Sequence, residues 1–154
     1  YKIYNEWLDE NVFSIGFFGK TANSLAGKDI KLSDRLFLPS SKLRGFESGK
    51  VGPKDGADFI GGNYATSINI ATSLSQILPN SQNTNFSVFF DAANVWGIDY
   101  SSSLSDESKI RSSIGIALDY LTPIGPLSFS LSEPITKGKN DITESFRFNL
   151  GTTF

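Results

Sequence analysis

The 154-residue chain contains no Cys, no His and no Met. Without Cys, neither disulfides nor thiolate metal sites can form. Without His, Ser-His-Asp and Cys-His catalysis, the common zinc sites and the usual near-neutral general base all fall away. Composition therefore argues against most hydrolases and metalloenzymes; no enzyme activity, no metal and no cofactor is expected. No apolar run approaches the length of a membrane-spanning helix, so a membrane location would require strands. No basic block appears, and Lys+Arg 14 against Asp+Glu 16 leaves a formal net charge of -2, so no nucleic-acid partner is expected. The missing Met, and a start inside the strand-like run Y-K-I-Y-N-E-W-L with no signal peptide ahead of it, lead us to read the chain as a C-terminal portion of something longer.

What the sequence does have is alternation. Its last ten residues read S-F-R-F-N-L-G-T-T-F. Phe146, Phe148, Leu150, Thr152 and Phe154 share one parity; Ser145, Arg147, Asn149, Gly151 and Thr153 share the other. Side chains alternate across a strand with period two, so this strand has a greasy face and a polar one. The greasy face ends on an aromatic, as suits a membrane–water boundary. Helical spacing is weak throughout. Seven strands are expected, at 1–8, 12–21, 64–75, 85–96, 110–121, 127–132 and 145–154. The strand at 85–96 alternates least cleanly, because Phe89 and Val95 fall on its polar parity.

The charges make the stronger case. Lys2, Glu6, Lys20, Asp91, Arg111, Asp119 and Arg147 lie inside expected strands, all on the parity opposite the apolar face. A Lys or Arg facing mid-bilayer lipid costs roughly 2–4 kcal/mol, so a lipid-facing surface enforces such exclusion. Glu133 breaks the pattern but abuts Pro134, where the strand is expected to stop. A soluble β-sandwich shares the alternation. However, the polar face is rich in Ser, Gly, Ala and Asn, and the connections alternate short and long, as in outer-membrane barrels with short periplasmic turns and longer external loops. Trp7, Trp96, Tyr100 and Tyr120 read as interface aromatics, and Gly125-Pro126 as a tight turn.

The connection at 22–63 carries L-R-G-F (Leu43 to Phe46), then V-G-P, then G-G-N. Taken alone this is an ordinary loop. Taken with F-F-D-A-A-N-V-W (Phe89 to Trp96), I-R-S-S-I-G-I-A-L-D-Y-L-T-P-I-G-P-L-S-F-S (Ile110 to Ser130) and the terminal F-R-F-N-L-G-T-T-F, it resembles the C-terminal half of the barrel of the BamA family, the outer-membrane protein assembly factors of Gram-negative bacteria within the bacterial surface antigen superfamily. The resemblance implies an all-β, antiparallel transmembrane β-barrel, with residues 1–154 supplying about seven strands of a larger, sixteen-stranded barrel domain. It implies that the loop at 22–63 folds into the lumen, with Arg44, Gly45 and Phe46 as its motif and Asp91 on the barrel wall as the ion-pair partner of Arg44. Two departures stand out. Ala93 occupies a position where the family usually has Gly, and no acid lies between Gly61 and Phe90, so a second partner for Arg44 would be missing or replaced by a hydroxyl such as Ser73 or Ser75.

By the same resemblance, the chain would be part of a bacterial outer-membrane insertase that folds and inserts β-barrel proteins. Its terminal strand would be one lip of a lateral gate, with Phe146, Phe148, Leu150, Gly151 and Phe154 as gate strand and C-terminal signal. The implied partners are outer-membrane lipid, nascent β-barrel clients, and accessory periplasmic lipoproteins that bind through domains this chain does not contain. A polypeptide secretion transporter of the same superfamily is the first alternative. An outer-membrane phospholipase is disfavoured by the missing His, and a soluble β-sandwich binding module is the remaining reading.

Overall fold

The alternating runs form strands, each paired with its neighbour in the sheet. In this computed structural model the described residues are 2–6, 11–25, 29–77, 83–98, 104, 106, 108–123 and 125–151, with 2–6 and 76 described by their backbone alone. Among the described residues nine strands follow in chain order: β1 (Lys2–Glu6), β2 (Val12–Thr21), β3 (Lys54–Asp55), β4 (Asp58–Phe59), β5 (Tyr64–Ser73), β6 (Thr84–Trp96), β7 (Arg111–Thr122), β8 (Gly125–Thr136) and β9 (Phe146–Leu150). Seven of them make one sheet in the order β1-β2-β5-β6-β7-β8-β9, and every pairing is antiparallel. β3 and β4 form a separate two-stranded hairpin within the long loop. The sheet is open, with β1 and β9 as its edges among the described residues. β2, β5, β6, β7 and β8 contain 10, 10, 13, 12 and 12 residues. A tilted membrane-crossing strand needs about 9–11. No helix among the described residues is long and apolar enough to cross a membrane.

The two faces of the sheet differ as the parity requires. Phe17, Ile68, Ile114, Ile116, Tyr120, Leu131, Phe146, Phe148 and Leu150 stand exposed on the outer face. Across β8 and β9 the rings of Phe129 and Phe148 lie 5.0 Å apart on that face, and Tyr64 stacks on Trp96 at 5.6 Å. A sandwich would instead collect Ile116, Phe129 and Phe148 in a dry centre. Here Ile116 and Phe148 are 40% and 49% exposed, and no second large sheet covers them among the described residues.

The inner face is polar and carries the loop. Asp91, Arg111 and Ser113 are fully buried there, and so are Phe89 and Val95. The latter two explain the irregular alternation of β6: they are inward apolar residues that serve as a seat. Leu38, Leu43, Phe46 and Val51 of the loop pack with Ala65, Ala93 and Val95 of the wall into a small apolar cluster, flanked by Phe18. Gly115 leaves room for the same seat, since a Cβ there would lie 2.6 Å from the Phe89 ring.

Several boundaries differ from the sequence reading. β8 does not stop at Ser132 but continues through Pro134 to Thr136. Its register with β7 shifts between Ser112 and Ser113, so Ser113 opposes Pro134, Ser112 opposes Thr136, and Ile135 is left over. A bulge is where a strand accommodates a residue without an N–H. Glu133 therefore lies on the strand, exposed on the outer parity close to the long-loop end. β5 ends at Ser73 because a 3-10 turn, Ser75–Ile77, follows. β9 ends at Leu150; Gly151 then adopts φ +107 and donates its N–H to the Pro126 carbonyl at 3.0 Å. Trp7, Tyr100 and Phe154 lie outside the described residues.

Candidate functional site

The loop leaves the sheet after Thr21 and returns at Tyr64, with its return closed by backbone hydrogen bonds. Leu36 and Gly62 exchange N–H···O bonds at 2.8 and 3.0 Å, and Asn63 donates to the Gly97 carbonyl at 2.9 Å. Gly62 has to be glycine here, because a Cβ would run into the backbone of Trp96. Between these ends the loop lies across the inner wall of β5 to β9.

Arg44 makes the central contact. Its Nε donates to Asp91 Oδ2 at 2.7 Å and its Nη2 to Asp91 Oδ1 at 2.7 Å, a bidentate fork. Its backbone N–H reaches Oδ2 as well, at 3.1 Å. Fork geometry of this kind fixes direction as well as distance. The guanidinium lies flat on the Phe89 ring, with Cζ 3.4 Å from the centroid, which adds a cation–π contact in a partly dry setting. The residue of the preceding strand that completes the pair is Asn69, neither Ser73 nor Ser75. Its Nδ2 donates to Asp91 Oδ1 at 2.9 Å and to the Lys42 carbonyl at 3.0 Å. Asn69 sits directly opposite Asp91 in the register, whereas Ser73 Oγ accepts from the Val12 N–H at the far end of the strand.

The next two residues of the motif act differently. Gly45 has φ +88, and a Cβ there would lie 3.0 Å from the Cβ of Ser113. It thus supplies both a left-handed backbone and a close approach to the wall. Ser113 Oγ donates to the Arg44 carbonyl, using that approach. Phe46 is 1% exposed within the apolar cluster, and it bridges Thr143 in the β8–β9 connection. Arg44 thus meets the wall at Asp91, Phe89 and Ser113, Gly45 lets the chain come close, and Phe46 packs into the apolar cluster.

Two further arginines hold the loop, and the sequence reading gave them only an inward parity. Arg111 of β7 donates from Nε and Nη2 to Asp141 at 2.9 and 3.3 Å, and from Nη1 to Asn94 Oδ1 at 2.8 Å. Both members of this pair are almost fully buried. Asp141 also accepts from the N–H of Gly138 and from that of Gly52 in the long loop. Arg147 of β9 donates to the carbonyls of Ser40 and Phe46 and to the carboxylate of Glu144. An inward charge shut off from water needs a partner, which is the signal that could have flagged both residues. Asp141 and the two carbonyls carry no comparable signal. Phe146, Phe148 and Leu150 stand exposed on the outer face of β9, with Gly151 just beyond. Among the described residues no group of acidic side chains is placed to hold a metal ion.

An open meander with a lipid-suited outer face and an arginine-anchored loop on its inner face defines a segment of an outer-membrane β-barrel. The chain belongs to the Omp85 superfamily, whose domain matches residues 1–154. It is 30% identical over 183 residues to the outer membrane protein assembly factor BamA of Neisseria meningitidis, an alignment covering 99% of this chain and 22% of that protein. BamA of Neorickettsia risticii is 25% identical over 84% of this chain and 18% of its own length. A SAM50-like protein of Schizosaccharomyces pombe is 29% identical over 86% of this chain and 29% of its own. The crystal structure of BamA from Haemophilus ducreyi lacking POTRA domains 1-3 superposes with a TM-score of 0.85 at 30% identity, over 99% of this chain and 34% of that one. The chain thus spans between about a fifth and a third of the relatives it matches. It is a bacterial outer-membrane β-barrel chain.

Proposed function

We propose that residues 1–154 form the C-terminal portion of the barrel domain of an outer-membrane insertase. The loop at 22–63 lies in the lumen and β9 forms one lip of a lateral gate. The observation that carries this reading is the open outer edge of β9. Its other edge pairs with β8 from Phe146 to Leu150, flanked by bonds from the Ser132 N–H to the Ser145 carbonyl and from the Gly151 N–H to the Pro126 carbonyl. The outer edge of β9 has no partner strand among the described residues. In hydrocarbon an open edge leaves N–H and C=O groups unsatisfied, each at a cost of several kcal/mol. That edge must therefore close on the first strand of the whole barrel or accept a strand from elsewhere. A client strand pairing there by β-augmentation would satisfy it at no net loss of hydrogen bonds. The partners proposed are nascent β-barrel clients, outer-membrane lipid along the outer face, and accessory periplasmic lipoproteins bound to domains outside this chain.

The test is a cysteine pair joining β9 to the first barrel strand in the full-length protein. This chain contains no Cys, so no native thiol within it competes. Oxidation should stop insertion of a β-barrel client into liposomes, and reductant should restore it. Full insertion activity with the cross-link complete refutes the gate.

A further inference from the structure

The long loop is bonded to the gate strand itself, through a single side chain. Residues 45–50 run antiparallel to residues 141–144, which lead directly into β9. Glu47 donates its N–H to the Ile142 carbonyl at 2.9 Å, Ile142 to Lys50 at 3.1 Å, and Glu144 to Gly45 at 3.1 Å. Arg147 then reaches back from β9 beneath this ribbon. Its Nη1 donates to the Ser40 carbonyl at 2.7 Å and its Nη2 to the Phe46 carbonyl. Ser40 and Phe46 bracket Arg44, so Arg147 closes the base of the turn whose tip is fixed to Asp91. Glu144, half-exposed, takes a charge-assisted bond from Nε at 2.8 Å. An ion pair that wet contributes little alone, and its effect is to aim the guanidinium. The loop holds only the first half of β9. The inner face at Asn149 looks onto a cleft of about 200 Å³ lined by Ser40, Arg44, Asp119, Ser128 and Arg147.

We propose that Arg147 is a latch: a positioning residue that joins the seated loop and the first half of β9 into one body. The position of the gate strand and the seating of the loop are then a single equilibrium. β9 cannot leave the wall at Phe146 and Arg147 unless the loop travels with it or the two carbonyl bonds break. Lys cannot replace the fork, since one ammonium cannot reproduce two planar, separately directed N–H groups. The proposal rests on the gate reading only for its consequence in insertion; the contact between loop and strand is tested separately.

The experiment uses the full-length protein in lipid bilayers and reads amide exchange in peptides covering 43–50 and 140–146. In Arg147→Gln the amides of Glu47, Ile142 and Glu144 should exchange about tenfold faster or more, because local opening no longer has to break the latch. Arg147→Lys should fall between. The Arg44 amide, held by Asp91, should stay protected in both variants and so report an intact wall. Unchanged exchange at Glu47, Ile142 and Glu144 in Arg147→Gln overturns the latch. Should that variant fail to assemble, nitroxide pairs on otherwise native protein decide. The distance from position 41 to position 149 should stay narrow when a client opens the seam, while that from 85 to 149 changes. If the 41–149 distance broadens while the loop stays on β6, the latch is wrong. A seam-locking disulfide without effect on insertion would remove the gate reading and leave the exchange result standing.

Discussion

The contact between Arg44 and Asp91 invites a double-mutant cycle, and its geometry sets the expected size. Asp91 has no exposed surface and accepts from Arg44 N, Nε and Nη2 and from Asn69 Nδ2. Arg44→Ala strands that carboxylate with only a backbone amide and an Asn as partners. Breaking a buried pair in this way costs about 3–5 kcal/mol. Asp91→Ala strands the guanidinium instead, but Arg44 is 21% exposed and can turn partly toward water. We expect about 2–3 kcal/mol for that change, since the charge keeps some solvation. The double variant leaves neither charge stranded, so the two effects should fall short of additive by about 2 kcal/mol. These costs fall on the seating of the loop rather than on the whole barrel. The assay is therefore chymotrypsin cleavage after Phe46, which is buried while the loop is seated. With cleavage slow relative to reclosing, its rate follows the opening equilibrium. Arg44→Ala should speed cleavage by two to three orders of magnitude or so, since about 1.4 kcal/mol is a factor of ten. If the single effects add within about 0.5 kcal/mol, the pair holds nothing and the reasoning fails.

Gly45→Ala should loosen the loop without touching a charge. A left-handed backbone costs a non-glycine residue about 1–2 kcal/mol, and the added Cβ sits 3.0 Å from Ser113 Cβ; cleavage after Phe46 should rise at least tenfold or so, and wild-type resistance would show that the turn tolerates a side chain. On the outer face, Ile116→Arg should lower the urea midpoint of the bilayer-folded protein by an amount matching about 2–4 kcal/mol. Asn85→Arg, on the exposed inner face opposite Asp119, should stay within about 0.5 kcal/mol of wild type; equal losses from the two would mean that neither face meets lipid.

The strands were legible because lipid enforces a strict rule. One face of every long strand excludes charge, save for Glu133 near the end of β8, so parity alone distinguishes Ile114, Ile116 and Leu118 from Arg111, Ser113 and Asp119. The β8 bulge was not legible, because Pro134 reads as a stop unless one knows that β7 offers a shifted register opposite it. Phe89 and Val95 read as noise on β6 for a related reason. They are apolar on the polar face because a loop far away in sequence covers them, its apolar cluster over Val95 and the Arg44 guanidinium over Phe89. Asn69 could not be singled out among the polar inward residues of β5, since its role depends on which β6 residue lies across from it. Arg147 read as a lumen charge, yet its principal partners are the main-chain carbonyls of Ser40 and Phe46, which have no sequence signature.

The apolar cluster alone would leave the loop poorly defined. Burying a side chain such as Leu43 or Phe46 stabilises by about 1.5–3 kcal/mol, but that gain has no direction and survives small slips in position. The guanidinium contacts remove this freedom. Asp91 on β6 fixes Arg44, Arg111 on β7 fixes Asp141 beside the bond from the Ile142 N–H to the Lys50 carbonyl, and Arg147 on β9 fixes Ser40 and Phe46. A hydrogen bond weakens once donor and acceptor part beyond about 3.2 Å, so all three can hold only while β6, β7 and β9 keep their mutual spacing. The loop thereby responds to the geometry of the wall as well as to its own contacts. A displacement of β9 relative to β6 of about an ångström must break either the Asp91 fork or the Arg147 carbonyl bonds. With the Arg147 bonds in place the first half of β9 and the loop move as one, so a displacement that opens the seam is taken up at the Asp91 fork. In Arg147→Gln that link is gone, and the loop stays on β6 while the strand moves alone.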